Sequence, residues 1–161
     1  MSFNTLHRVP NPKIALQQMY AALKPGGLFI AVFPAMGSKI LSESIAKVDS
    51  KPEWSKYFEA YDRKEYSNTE EAYSNYLSDI GFITQKVQIL WEDEVFENRQ
   101  AFFDILKVSY TQKDNIPADE QDKFFNEILD QYLVMMPLDH AGRVHFYFNR
   151  MEIIATKPIP Q

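Results

Sequence analysis

The stretch Leu23-Lys24-Pro25-Gly26-Gly27-Leu28-Phe29-Ile30-Ala31-Val32-Phe33 decides how the chain reads. Before it, Asn11 is a good N-cap and Pro12 sits at a first helical position, where its missing N–H costs nothing. Ala15, Leu16, Met19, Tyr20 and Leu23 recur at helical spacing, so residues 12–23 form a helix with one buried face. Pro25 cannot continue that helix, and Gly26-Gly27 allow the chain to reverse. The six residues that follow are apolar on both faces, as expected of an interior strand of a parallel sheet, and Pro34 is expected to end it. A helix that enters a strand through a tight glycine turn is half of a β-α-β unit.

Outward from this turn the pattern stays mixed. Residues 36–66 are less regular and read as two short helices carrying Trp54, Tyr57, Phe58 and Tyr61. Ser67-x-x-Glu70 has capping-box spacing, and Asn68-x-x-Glu71 offers the neighbouring register. Either opens a helix with Tyr73, Tyr76, Leu77 and Ile80 on its buried face, which Gly81 closes. Residues 83–95 then alternate, with Val87, Ile89 and Trp91 on one face and Lys86, Gln88 and Leu90 on the other. Helices are expected over residues 98–110 and 117–133. After a turn at Gly142, residues 144–156 form a long last strand. The order predicts one α/β domain over residues 1–161.

Composition narrows the function classes. The 161 residues carry 17 Lys plus Arg against 22 Asp plus Glu, a formal net charge of -5. No basic stripe stands out, which argues against nucleic acid or an anionic membrane as the main partner. Cysteine is absent, which excludes disulfides, thiolate nucleophiles and thiolate zinc sites. No signal peptide is recognisable, and the longest apolar run is far too short to span a bilayer. The expectation is a soluble, cytoplasmic protein.

Four segments in order resemble the C-terminal part of a class I S-adenosylmethionine-dependent methyltransferase. Ser2-Phe3-Asn4-Thr5-Leu6-His7-Arg8-Val9 is similar to the end of that family's fourth strand. Leu23-Lys24-Pro25-Gly26-Gly27-Leu28-Phe29 is similar to its turn into the fifth. Tyr76-Leu77-Ser78-Asp79-Ile80-Gly81-Phe82 resembles the helix end before the sixth. The last strand ends like the seventh, which is antiparallel to the rest. The resemblance implies the C-terminal portion of a Rossmann-like sheet, with residues 36–66 and 97–135 as helical insertions on the substrate side. Those insertions are most similar to methyltransferases of small carboxylic acids, such as the trans-aconitate and juvenile hormone acid methyltransferases. No G-x-G cofactor loop exists in the chain, so the resemblance implies a fragment that lacks most of the S-adenosylmethionine site and is inactive alone. The alternative is a non-catalytic dimerisation or small-ligand module derived from such an enzyme.

By resemblance, Asn4, Leu6 and His7 lie beside the cofactor, and His7 is the catalytic candidate, as a base or an orienting group. Its other reading is a histidine that stabilises the strand junction. Arg8 can hold a carboxylate substrate or be an exposed loop arginine. Phe33 and Pro34 fall at a strand's carboxyl end, where open α/β sheets place ligands, or simply terminate the strand. Trp54, Tyr57 and Phe58, with Tyr61, form either a lid over substrate or a small helical core. Glu92-Asp93-Glu94 reads as a solvated strand end, and His140 and His145 lack metal-ligand spacing, so no metal is expected. The apolar edge Leu28-Phe29-Ile30-Ala31-Val32-Phe33 is expected to pair with a second copy or with a missing N-terminal half.

Overall fold

The computed structural model describes residues 1–58, 69–111 and 113–160. The chain divides into two compact units: Met1–Met36, Lys64–Glu92 and Phe148–Gln161 form the first, and Gly37–Arg63 and Asp93–Tyr147 the second. Four strands make one sheet, β1 (Ser2–Phe3), β2 (Leu28–Met36), β3 (Ile83–Phe96) and β4 (Val144–Thr156), in the order β1-β2-β4-β3. β1 runs parallel to β2, and β4 runs antiparallel to it. The sheet is therefore α/β and mixed, with an antiparallel last strand.

In the first unit, α1 (Pro12–Ala22) starts where Asn11 accepts the Ile14 N–H at 3.3 Å. The turn after it has Gly26 at φ +76°, a left-handed conformation that favours glycine. The residue that follows β4 closes this turn, because the Gly26 N–H donates to the Lys157 carbonyl and the Lys157 N–H to that of Gly27. The Lys157 ammonium donates to the Tyr20 and Leu23 carbonyls at 2.9 and 2.8 Å, satisfying the end of α1 with a positive charge.

β2 does not stop at Pro34 as expected but continues to Met36. The register with β4 slips between Pro34 and Met36, and such an irregularity accommodates a residue that has no N–H for the ladder. α4 (Glu70–Ile80) is capped by Thr69, whose hydroxyl accepts the Ala72 N–H at 3.1 Å. The expected caps Ser67 and Asn68, and the lid candidate Tyr61, lie outside the described residues. Gly81 closes α4 at φ +98°.

One face of the strands is buried. Phe29, Ala31, Phe33 and Ala35 join Met151, Ile153 and Ala155 against Leu16 of α1 and Tyr73 and Leu77 of α4. On β3, Val87 and Ile89 pack against this core, but Trp91 departs from the expected alternation and is 66% exposed. On the other face Leu28 is 51% exposed and Ile30 and Val32 are half-buried. Polar residues share the strands there: Lys86 and Gln88 bond Glu152, and Arg150 pairs with Glu92 at 2.8 Å.

The second unit holds α2 (Lys39–Asp49), α3 (Pro52–Ser55), α5 (Arg99–Ser109) and α6 (Gln121–Met135). Ser38 caps α2 and Asn98 caps α5. α6 starts at Gln121 rather than at residue 117, because residues 117–120 first make a turn closed by the Glu120 N–H on the Pro117 carbonyl. Trp54, Phe124, Phe125, Ile128, Leu129 and Tyr132 are wholly enclosed, with Phe102 and Leu106 beside them.

Candidate functional site

The N-terminal candidates come together at the carboxyl half of β2. β1 occupies only Ala31 and Val32 of its neighbour, and the Asn4 N–H adds one more bond, to the Val32 carbonyl at 2.8 Å. Asn4 then takes φ +50°, a left-handed conformation that asparagine tolerates better than most residues, and turns the chain into a 3-10 turn at Leu6–Arg8. Leu6 is 1% exposed and anchors that turn in the core. His7 is thereby set against Phe33, ring centroids 6.5 Å apart and 11° from parallel.

The hydrogen bonds assign the state of His7. The Arg8 Nε–H donates to His7 Nε2 at 3.2 Å, and arginine has no acceptor to offer in return. The ring is then neutral, with its proton on Nδ1. Burial, and secondarily the Arg8 charge, lowers its pKa from the ordinary histidine value, which agrees with that state. Nδ1 is buried and has no hydrogen-bond partner among the described residues. The Arg8 side chain is exposed, and no carboxylate pairs with it among the described residues. His7 therefore has a donor to offer and no free basic nitrogen. Phe33 is itself fully buried, and Pro34 is half-buried on the opposite face of β2.

The aromatic candidates belong to the second unit. Trp54 is fully buried, edge-on to Phe124 at 5.2 Å, and its indole N–H donates to Glu127 at 3.1 Å. Burial alone would raise the pKa of Glu127, but its bonds from Lys51 and Trp54 bring it below the usual value. Trp54 is thus built as core. Tyr57 and Phe58 are half-buried and keep part of their surface in reach of a ligand. A separate apolar hollow of about 210 Å³, lined by Met1, Met19, Ala22, Leu23, Leu28 and Phe29, sits at the amino end of β2. Ligands of open α/β sheets bind at the opposite, carboxyl end.

No protein-family model matches the chain. Over 140 residues it is 31% identical to a juvenile hormone acid O-methyltransferase of Drosophila melanogaster, a match covering 83% of this chain and 46% of that protein. Its fold resembles a crystal structure from Bacillus halodurans assigned as a methyltransferase, with a TM-score of 0.50 at 13% identity, over 98% of this chain and 68% of the other. The chain is a relative of the class I S-adenosylmethionine-dependent methyltransferases. It spans about half the length of its Drosophila relative.

For a methyltransferase relative the cofactor donors are sparse. The Leu6 side chain is in the core, the Asn4 N–H is bonded to β2, and residues 1–9 contain no carboxylate to hold a ribose. These residues do not fit a complete S-adenosylmethionine site. Among the described residues, no group of His, Asp and Glu is arranged to hold a metal. No helix among them is long and apolar enough to cross a membrane.

One polar cluster was not legible in the sequence. In the second unit His145 Nδ1 lies 2.8 Å from Asp93 Oδ2, and its Nε2 3.4 Å from Asp139 Oδ2. Asp93 stands in the run expected to be a solvated strand end. The available signal was positional only: His145 alternates with Val144 and Phe146 on the strand that neighbours β3.

Proposed function

We propose that this chain supplies the acceptor side of an S-adenosylmethionine-dependent methyltransferase that acts on small carboxylic acids. The observation that carries the reading is the His7–Arg8 pair at the carboxyl half of β2. His7 holds the guanidinium through Nε, which leaves the terminal N–H groups for a carboxylate. An ionised carboxylate needs no proton removed before it accepts a methyl group, so positioning suffices. That requirement suits a neutral His7 with a buried Nδ1–H and no free basic nitrogen. The identity with the Drosophila enzyme, whose name specifies an acid substrate, supports the same class.

The cofactor-binding half is absent from these 161 residues in this reading, and they do not transfer methyl groups alone. The partner, a second copy or a chain bearing that half, joins at the edge of β2, where Leu28, Phe29 and Ile30 face no strand on the β1 side among the described residues. The absence of cysteine is compatible with a cytoplasmic location.

The test is methyl transfer from labelled S-adenosylmethionine to a panel of small carboxylic acids. It compares the chain alone with the chain fused behind the cofactor-binding half of the Drosophila relative. Activity of the fusion only is expected, and in it Arg8→Ala should raise KM about tenfold, the loss of one charge-assisted contact. A fusion that binds S-adenosylmethionine but methylates none of the acids would overturn the substrate class. Tight binding of S-adenosylmethionine by the chain alone would overturn the account of its missing half.

A further inference from the structure

We propose that Asp93, His145 and Asp139 form a proton-held clasp, which fixes the turn at residues 139–143 to the end of β3 and lets go when His145 loses its second proton. The geometry favours that proton. His145 presents one ring nitrogen to each carboxylate, 2.8 Å to Asp93 and 3.4 Å to Asp139. A neutral imidazole has one N–H and one lone pair, so one of the two carboxylates would meet a lone pair; only the imidazolium donates to both.

Asp139 is not free to take the proton instead. Its Oδ1 accepts the backbone N–H groups of Ala141 and Arg143 at 2.8 and 2.9 Å, and its Oδ2 accepts from Arg143 Nε at 2.8 Å. These bonds, the Arg143 N–H first, hold its pKa well below the usual carboxylate range. The same carboxylate therefore builds the turn, which Gly142 completes at φ +78°. The other groups facing His145 do not replace the missing charge. Tyr132 of α6 donates its hydroxyl to the His145 carbonyl at 2.6 Å and stays neutral, its pKa pushed up to about 12 by burial. Tyr147 stacks on the imidazole, centroids 6.0 Å apart. Arg143 thus pairs with Asp139 alone, and the imidazolium supplies the positive charge that faces Asp93.

The hydrogen bond to Asp93, then that to Asp139, raises the pKa of His145. A raised histidine contributes stability that is complete below its unfolded pKa and is lost as pH rises through its folded value. The clasp should therefore be shut in mild acid and open toward alkaline pH.

The experiment is an NMR titration of the three histidine rings in the full chain, with His145 assigned by the signal missing from His145→Gln. The protection of the Ala141 and Arg143 amides is followed in parallel. The expected midpoint of His145 lies above the ordinary histidine range and falls in Asp93→Asn, which leaves the Asp139 turn intact. The protection factors of both amides should drop through the same midpoint, and in Asp93→Asn that drop should move to lower pH together with the midpoint. A midpoint in the ordinary range, or one that Asp93→Asn does not move, would overturn the clasp. So would protection that stays constant through the titration.

Discussion

The first unit lays α1 and α4 on one face of its strands and leaves Leu28 half exposed on the other, whereas the second encloses Trp54, Phe124 and Tyr132 completely among its helices. The same chain thus buries apolar surface in two ways. In the first unit one strand face does most of the work, and its long-range bonds come from β4. In the second, helices surround the core; edge-to-face rings occur in both, as Trp54 and Phe124 at 5.2 Å in the second and Tyr20 and Phe82 at 4.8 Å in the first. Such pairs add to area burial and demand a defined geometry. The lesson is that the unit with the His7–Arg8 pair leaves one strand face half exposed, although the core on its other face is as enclosed as that of the second unit.

The largest test of this contrast is Trp54→Ala, which removes an enclosed side chain and a bond to Glu127. It should cost about 3–5 kcal/mol in chemical denaturation. The amides of α6 should lose more exchange protection than those of α1; equal losses would mean that the two units unfold as one. Leu77→Ala in α4 should cost about 2–4 kcal/mol, with the opposite distribution of lost protection. Gly81→Ala forces a side chain into φ +98°, with its Cβ 3.3 Å from the Tyr20 hydroxyl. A loss of about 1–2 kcal/mol is expected by thermal melting. Thr69→Ala removes one cap and should cost about 1 kcal/mol, while Thr69→Ser should restore most of it.

The smallest expected effect sharpens the comparison most. His7 has a lowered pKa, so its contribution is present above the ordinary histidine pKa and is lost as pH falls through its folded value. His145, with a raised pKa, works in the other direction. Hydrogen exchange at mildly acidic and mildly alkaline pH should therefore weaken different units. Parallel weakening of both at one pH extreme would break the contrast.

Much of the fold was readable because its punctuation is local. Asn11, Pro12, the Pro25-Gly26-Gly27 turn and Gly81 act within a few residues of themselves, and each does in the structure what its chemistry demands. The misses involve long-range compensation. Pro34 failed to end β2 because β4 supplies a slipped register, and Trp91 left the buried face although its neighbours Val87 and Ile89 kept to it. At the candidate site, the sequence placed His7 and Arg8 but gave no hint that one nitrogen of His7 would be spent on its neighbour. The partnership of Asp93 with His145 joins residues far apart in the chain, and no spacing rule reaches that far. Trp54 has the same spacing whether it is a lid or a core residue; only its enclosure distinguishes them.

The lock on the glycine turn also sets an order of events. Pro25, Gly26 and Gly27 leave the ribosome more than a hundred residues before Lys157, whose groups close their turn. Contacts of such sequence separation form slowly and leave earlier segments waiting. During synthesis α1 and β2 must persist without their fastening, with an apolar strand open to any chaperone or neighbouring chain. A stretch of sequence that looks self-contained is, in time, finished only after β4 has been made.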